Sequence, residues 1–208
     1  MAGGFAGEIG RMLRFSKDNG VVIAVLSVAT LSLLASRYLA IGGHLTSTLI
    51  YYVAVPAAAA LALPGRGPGS LGLAAGDPGA WRMHLPPALT VAVLLAVAAR
   101  YVPPVREYYA DSAGLTFGSA GRAAVEIFSV EFMFRGFILF GLRKKLGDGA
   151  AVVQMVPFAL LHLHKPGLEA AGCVLTGTYL GYLSLRAGSI WPAFVIHLAA
   201  YLAVALVV

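Results

Sequence analysis

Charge is scarce in this chain, and cysteine is almost missing. Asp, Glu, Lys and Arg make up 12% of the 208 residues, where ordinary soluble domains carry about 25%. With 59% of residues apolar, a soluble fold of this length could not keep a solvated shell over its apolar surface, so lipid is the expected solvent. The one cysteine, Cys173, excludes a disulfide framework and a Cys-based metal site. It lies one helical turn before the GxxxG of Gly177 and Gly181, a small-residue stripe that reads as close helix packing in lipid and not as a catalytic thiol. There is no internal repeat, no low-complexity tail, no compact HExxH metal motif and no period-2 pattern of a membrane barrel. The net charge of +6 does not point to nucleic acid, because the basic residues sit at the ends of apolar runs.

Those runs are the dominant feature. A bilayer core needs roughly 20 helical residues, and seven stretches qualify as candidates: Val21 to Ile41, Leu45 to Leu63, Pro87 to Val102, Ser119 to Leu142, Ala150 to His164, Leu168 to Leu185 and Ile190 to Val208. The first is too long for a signal-peptide core and reads as a retained anchor. Breaks are expected at Gly42, Pro64, Pro103, Lys144, Lys165 and Arg186. Asp77 to Pro86 is polar with one Trp and reads as an interfacial segment, and His44 and His84 fall in loops with no assigned role. The expected fold is all-α: a polytopic helical bundle of about seven spans forming one domain, 1–208, with a motif-bearing core at 118–208. With the N-terminus in the cytoplasm, nine Lys and Arg face the cytoplasm and five the opposite side, which orients the chain N-in and C-out.

Ionisable groups at bilayer depth cost roughly 2.5–3.5 kcal/mol on insertion scales unless paired or facing a cavity, so they carry the information. The fourth run holds Glu126, Glu131 and Arg135; the fifth holds Gln154, His162 and His164; the seventh holds His197 and Tyr201. Glu131 and Arg135 are i,i+4 and can pair on one face. His197 and Tyr201 share the same spacing. In an intact helix His162 and His164 would point about 200° apart, so His164 is placed at the interface, and it and Gln154 are read as packing residues. A rise of 1.5 Å per residue puts Glu131, His162 and His197 at overlapping depths, roughly 10–18 Å from their helix ends. One shared site is therefore feasible, as is a plain buried ion pair with two packing histidines.

The order of these residues resembles the signature of the CAAX-protease and bacteriocin-processing (CPBP) family of intramembrane glutamic endopeptidases. VEFMFRGF (Val130 to Phe137) is similar to its EExxxRG segment, FALLH (Phe158 to His162) to its FxxxH, and GSIWPAFVIHLAAY (Gly188 to Tyr201) to its HxxxN or HxxxD with the small-residue and Trp-Pro approach. The resemblance spans Gly118 to the C-terminus. It implies a protease in which a glutamate and a histidine activate water. Carried over, His162 is the water-activating histidine, His197 the oxyanion-side histidine and Arg135 the motif arginine. The resemblance implies no metal or other cofactor. A His₂Glu zinc set of Glu131, His162 and His197 stands as a minor alternative.

Two positions depart from the signature. Val130 stands where the first glutamate is expected, and Tyr201 stands where the third motif ends in Asn or Asp. Glu131 is one substitute base. Glu126, i−4 from Val130, is another, or else an interfacial partner of Arg122. The expected function is cleavage of a membrane-anchored or lipid-proximal protein in the plasma membrane of a prokaryote. The alternative is a catalytically silent relative that binds membrane proteins as a chaperone or immunity factor. A transporter is disfavoured by the lack of repeated broken helices in two halves. The expected partners are the bilayer and a protein substrate, with no nucleic acid.

Overall fold

A computed structural model describes residues 4–63, 67–110 and 115–208, and among these the regular structure is helical with no strand. The helices are α1 (Phe5–Asp18), α2 (Gly20–Tyr38), α3 (His44–Ala62), α4 (Pro78–Ala99) and α5 (Pro103–Tyr109). α6 runs through three consecutive segments, Phe117–Glu131, Phe132–Leu139 and Phe140–Leu146, and is followed by α7 (Gly149–Leu161), α8 (Gly167–Ala187) and α9 (Trp191–Val207). Helices are the natural answer in lipid because they satisfy every backbone group within the segment. By length and composition α2, α3 and α4 can cross a membrane, and α7 and α9 are shorter apolar helices. These criteria support three crossings directly, where the sequence pattern suggests seven.

α6 is the centre of the molecule. Every residue from Phe132 to Leu142 is buried, and the helix packs against α2, α3, α7, α8 and α9. Thr116 and Ser119 form a capping box at its start, which satisfies two otherwise orphaned donors. Its middle segment, Phe132–Leu139, is π-helical. Such wide turns are uncommon and recur at functional sites, and this one carries Arg135.

The expected small-residue seam joins α7 and α8. A Cβ built on Gly177 would lie 2.7 Å from the Phe158 ring, and one on Gly181 would lie 2.7 Å from Gln154 Nε2. The close approach lets Gln154 Nε2 donate to the carbonyls of Gly177 (2.8 Å) and Ala151 (3.0 Å). Gln154 is thus a packing residue that ties two helices together. The start of α9 is pinned from another side. The indole of Trp191 donates to Leu73 O (2.8 Å), Ser189 Oγ donates to Ala74 O (2.7 Å), and Asp77 N donates to Ala187 O (2.8 Å). Gly76, at φ 80°, permits this docking: a Cβ there would run into the Ala187 carbonyl.

Three expectations change. Asp77 to Pro86 is not separate from the third run: Asp77 caps α4 by accepting from Ala80 N (2.8 Å), and the helix runs through Pro86 and Pro87. The carbonyls those prolines leave without partners belong to Arg82 and Met83, both exposed, so the loss that breaks a buried helix is tolerated here. His84 therefore lies on a helix, as does His44, the first residue of α3. Finally, α7 ends at Leu161, short of His164. Pro166 disfavours the helical region for Lys165, and His162 takes a bridge-like backbone (φ −91°, ψ 1°) as the C-cap. The angular argument separating His162 from His164 thus does not apply, although the two still part: His164 faces Tyr108, with ring centroids 6.3 Å apart. The break expected at Pro64 lies partly outside the described residues.

The α7–α8 seam yields a stability prediction. Gly177→Leu forces a side chain into the Phe158 ring and should destabilise by about 1–3 kcal/mol, as overpacking does. Gly172→Ala, where a Cβ meets nothing within 4 Å, should not lower the midpoint of thermal unfolding in detergent, and the better helix former should raise it slightly.

Candidate active site

Glu131 ends the first segment of α6 and is fully buried. Arg135, one turn on and also fully buried, donates from Nη1 to Glu131 Oε1 at 3.0 Å. The same oxygen receives His197 Nδ1 from α9 at 2.7 Å. One carboxylate oxygen thus joins α6 to α9 through two charged or polar donors. The other oxygen, Glu131 Oε2, and the Nε and Nη2 of Arg135 have no hydrogen-bond partner among the described residues. The buried pair therefore keeps one acceptor and two donors open, which is rare for buried polar groups and marks a place for explanation.

Phe158 of α7 wedges this cluster together. The Arg135 guanidinium sits 4.3 Å from its ring centroid, within cation–π range. The His162 ring lies 4.3 Å from the Phe158 ring and the His197 ring 6.3 Å, centroid to centroid. His162 also bonds through Nδ1 to the Phe158 carbonyl at 2.8 Å. A carbonyl can only accept, so Nδ1 carries the proton, and in the neutral ring Nε2 is left as an acceptor. The FxxxH spacing explains the arrangement: Phe158 and His162 are one turn apart, so the phenylalanine offers both its ring and its carbonyl to the histidine.

A second polar tier lies on α5 and the start of α8. Tyr109 Oη donates to Glu169 Oε1 (2.7 Å), and Lys165 Nζ donates to Tyr109 Oη (2.7 Å) and pairs with Glu169 (3.3 Å). Lys165 also stands over the rings of Tyr108 (4.7 Å) and Tyr109 (4.6 Å). Burial and the adjacent Glu169 charge push the Tyr109 phenol well above its usual range, so it serves as a donor throughout ordinary pH. The backbone N–H of Lys165 donates to the His162 carbonyl (2.9 Å), which connects the two tiers. Cys173, one turn beyond Glu169, is buried and donates to Ala170 O (2.9 Å), a packing residue in the seam.

The structure brings Glu131, Arg135 and His197 into direct contact and His162 against the same phenylalanine. It does not bring Glu126 there. That carboxylate pairs with Arg122 (3.4 Å) and His44 (3.8 Å), a third exposed. Tyr201 is half-buried and faces Tyr109, with centroids 6.4 Å apart; it makes no side-chain hydrogen bond among the described residues. The His₂Glu zinc set is not formed: among the described residues no group of three or more His, Cys, Asp and Glu side chains could hold a metal ion. Sequence reasoning missed Tyr109, Lys165 and Glu169. The i,i+4 spacing of Lys165 and Glu169 was the available signal, but Tyr109 is distant in sequence.

The buried pair predicts an asymmetry in stability. Arg135→Met leaves Glu131 buried without its cation and should cost about 3–5 kcal/mol. Adding Glu131→Met to the same chain should recover part of that loss, because two apolar groups leave no uncompensated charge. Thermal unfolding of both variants in one detergent checks the order.

Among proteins of known character, the family model described as type II CAAX prenyl endopeptidase Rce1-like matches residues 114–203. This stretch carries all three motifs, and over it the resemblance to the CPBP family is borne out. The chain thus carries helices long and apolar enough to cross a membrane and is similar, over residues 114–203, to a family of proteases. No curated protein and no solved structure matches it.

Proposed function

We propose, on the premise that residues 114–203 form an Rce1-like core, that the protein is an intramembrane endopeptidase. Its substrate is a membrane-anchored or lipid-proximal protein, and it acts in a prokaryotic plasma membrane with its N-terminus in the cytoplasm. The observation that carries the reading is the Arg135–Glu131–His197 contact at 3.0 and 2.7 Å, with His162 held through Nδ1 beside it. An ion pair that only fixed helix register would need neither histidine.

The chemistry follows from the free atoms. His162 Nε2 accepts a proton from water as the water oxygen attacks the peptide carbonyl, which is general base catalysis. The carbonyl π electrons move to oxygen, and the resulting oxyanion accepts from Nε2–H of His197, which donates from both ring nitrogens as an imidazolium while Glu131 holds Nδ1–H. Collapse of the tetrahedral species breaks the C–N bond, and the proton on His162 passes to the leaving amine. Arg135 holds Glu131 in position. With Val130 in the first-motif place, the carboxylate that assists the water is Glu131 through its open Oε2. Glu169, paired with Lys165 in the second tier, is the next candidate. A silent relative that binds membrane proteins is the second reading, and the observation favouring it is that Glu131 Oε1 is already occupied by Arg135 and His197.

The test is cleavage of a prenylated CAAX peptide and of candidate membrane proteins in liposomes. His162→Ala should lower kcat/KM by about 10²–10⁴, the usual contribution of a positioned base. Glu131→Gln, compared on the folded fraction because it leaves Arg135 buried without its carboxylate, should abolish cleavage, and Glu126→Gln should leave it unchanged. Loss of activity in Glu169→Gln with full activity in Glu131→Gln would move the assisting role to Glu169. If the native chain cuts nothing and Val130→Glu creates no activity, the binding reading replaces the enzymatic one.

A further inference from the structure

α1 is amphipathic, and its apolar side has no partner among the described residues. At 100° per residue, Phe5, Ile9, Met12 and Leu13 fall within roughly 100° of arc, and Arg11, Arg14 and Lys17 centre on the opposite side. Phe5 is 80% exposed, and Met12 and Leu13 are each 61% exposed. No residue described in α1 is buried. A soluble surface does not leave such a stripe bare without a use for it.

Two observations say what covers it. First, α1 hands over at Asn19 to α2, a helix long and apolar enough to cross a membrane. The junction therefore lies at a bilayer surface. Second, the C-terminal end of α1 meets a basic rim: Lys145 Nζ donates to the Asp18 carbonyl at 3.4 Å, and Lys145 closes the run Arg143, Lys144, Lys145 at the end of α6. The three cations of α1 and the three of α6 thus gather at one end of the bundle. A helix with aromatic and aliphatic residues on one side and Arg and Lys on the other lies in the headgroup plane with its apolar side sunk toward the acyl chains. Cations grouped beside it bind anionic headgroups.

We infer that α1 is an interfacial helix that docks this end of the protein onto an anionic lipid surface, with Phe5, Met12 and Leu13 in the acyl boundary and Arg11, Arg14 and Lys17 among the headgroups. The inference is independent of the proteolytic reading. Docking α1 in the membrane plane fixes the N-terminal end of α2, and α2 packs against the middle and end of α6.

The full chain in a Cys173→Ala background is labelled with a nitroxide at Met12→Cys or at Arg14→Cys. Each is reconstituted into phosphatidylcholine vesicles with or without phosphatidylglycerol. Accessibility to oxygen and to an aqueous nickel chelate is then read by spin resonance. The expected result is an oxygen-to-nickel ratio severalfold higher at position 12 than at position 14, and a further rise at position 12 with phosphatidylglycerol at low salt. The combined variant Arg11→Gln, Arg14→Gln, Lys17→Gln, labelled at position 12, should lose that lipid-dependent rise. Equal, water-like ratios at both positions would overturn the proposal. So would a position 12 shielded from both reagents and released on dilution of protein into lipid, which would mean a second copy covers the stripe. Burial at position 12 that ignores lipid charge would overturn the anionic docking.

Discussion

A single carboxylate oxygen, Glu131 Oε1, accepts from Arg135 at 3.0 Å and from His197 at 2.7 Å where no part of the Glu131 or Arg135 side chain is exposed. Two ions removed from water recover the cost of desolvation only with good geometry and further hydrogen bonds. Here the extra partner comes from another helix, so the same contact that neutralises Arg135 also sets the angle of α9 against α6. Phe158 adds a ring under the guanidinium. The order of the three motifs along the chain becomes intelligible as one packing unit: α6 supplies the ions, α7 the wedge and α9 the acceptor-bound histidine.

The rest of the bundle serves this unit. The glycines of α8 let α7 approach closely enough for Phe158 to reach Arg135. The segment from Gly72 to Asp77 ties down the turn that launches α9. The tier of Tyr109, Lys165 and Glu169 satisfies its own charges by hydrogen bonding, which lets ionisable groups stand next to the deeper cluster.

Much of this was legible in the residues. Apolar runs marked each main helix because lipid demands continuous apolar surface, and i,i+4 spacing marked the Glu131–Arg135 pair because it depends on one helix alone. What failed depended on local backbone exceptions or on distant chain segments. The third run reads as starting at Pro87, yet α4 starts at Pro78 and continues through Pro86 and Pro87. Pro166 shortens α7 and puts His162 at a cap, which helical periodicity cannot anticipate. The π-helical stretch around Arg135 leaves no mark in the hydrophobic pattern. Glu126 shares the face of Val130, but His44 and Arg122 hold it elsewhere. Glu169 is held by Tyr109, 60 residues away.

The central claim is that His162 keeps Nε2 as a free acceptor because Nδ1–H is spent on the Phe158 carbonyl. Solid-state ¹⁵N resonance of histidine-labelled protein in bilayers, with His162 assigned by its absence in His162→Asn, reads the tautomer directly and needs no substrate. The account predicts a neutral His162 protonated at Nδ1 with an unprotonated Nε2. A neutral His162 carrying its proton on Nε2 would contradict it, since Nδ1 could then donate nothing to Phe158 and the ring would offer no base to the site.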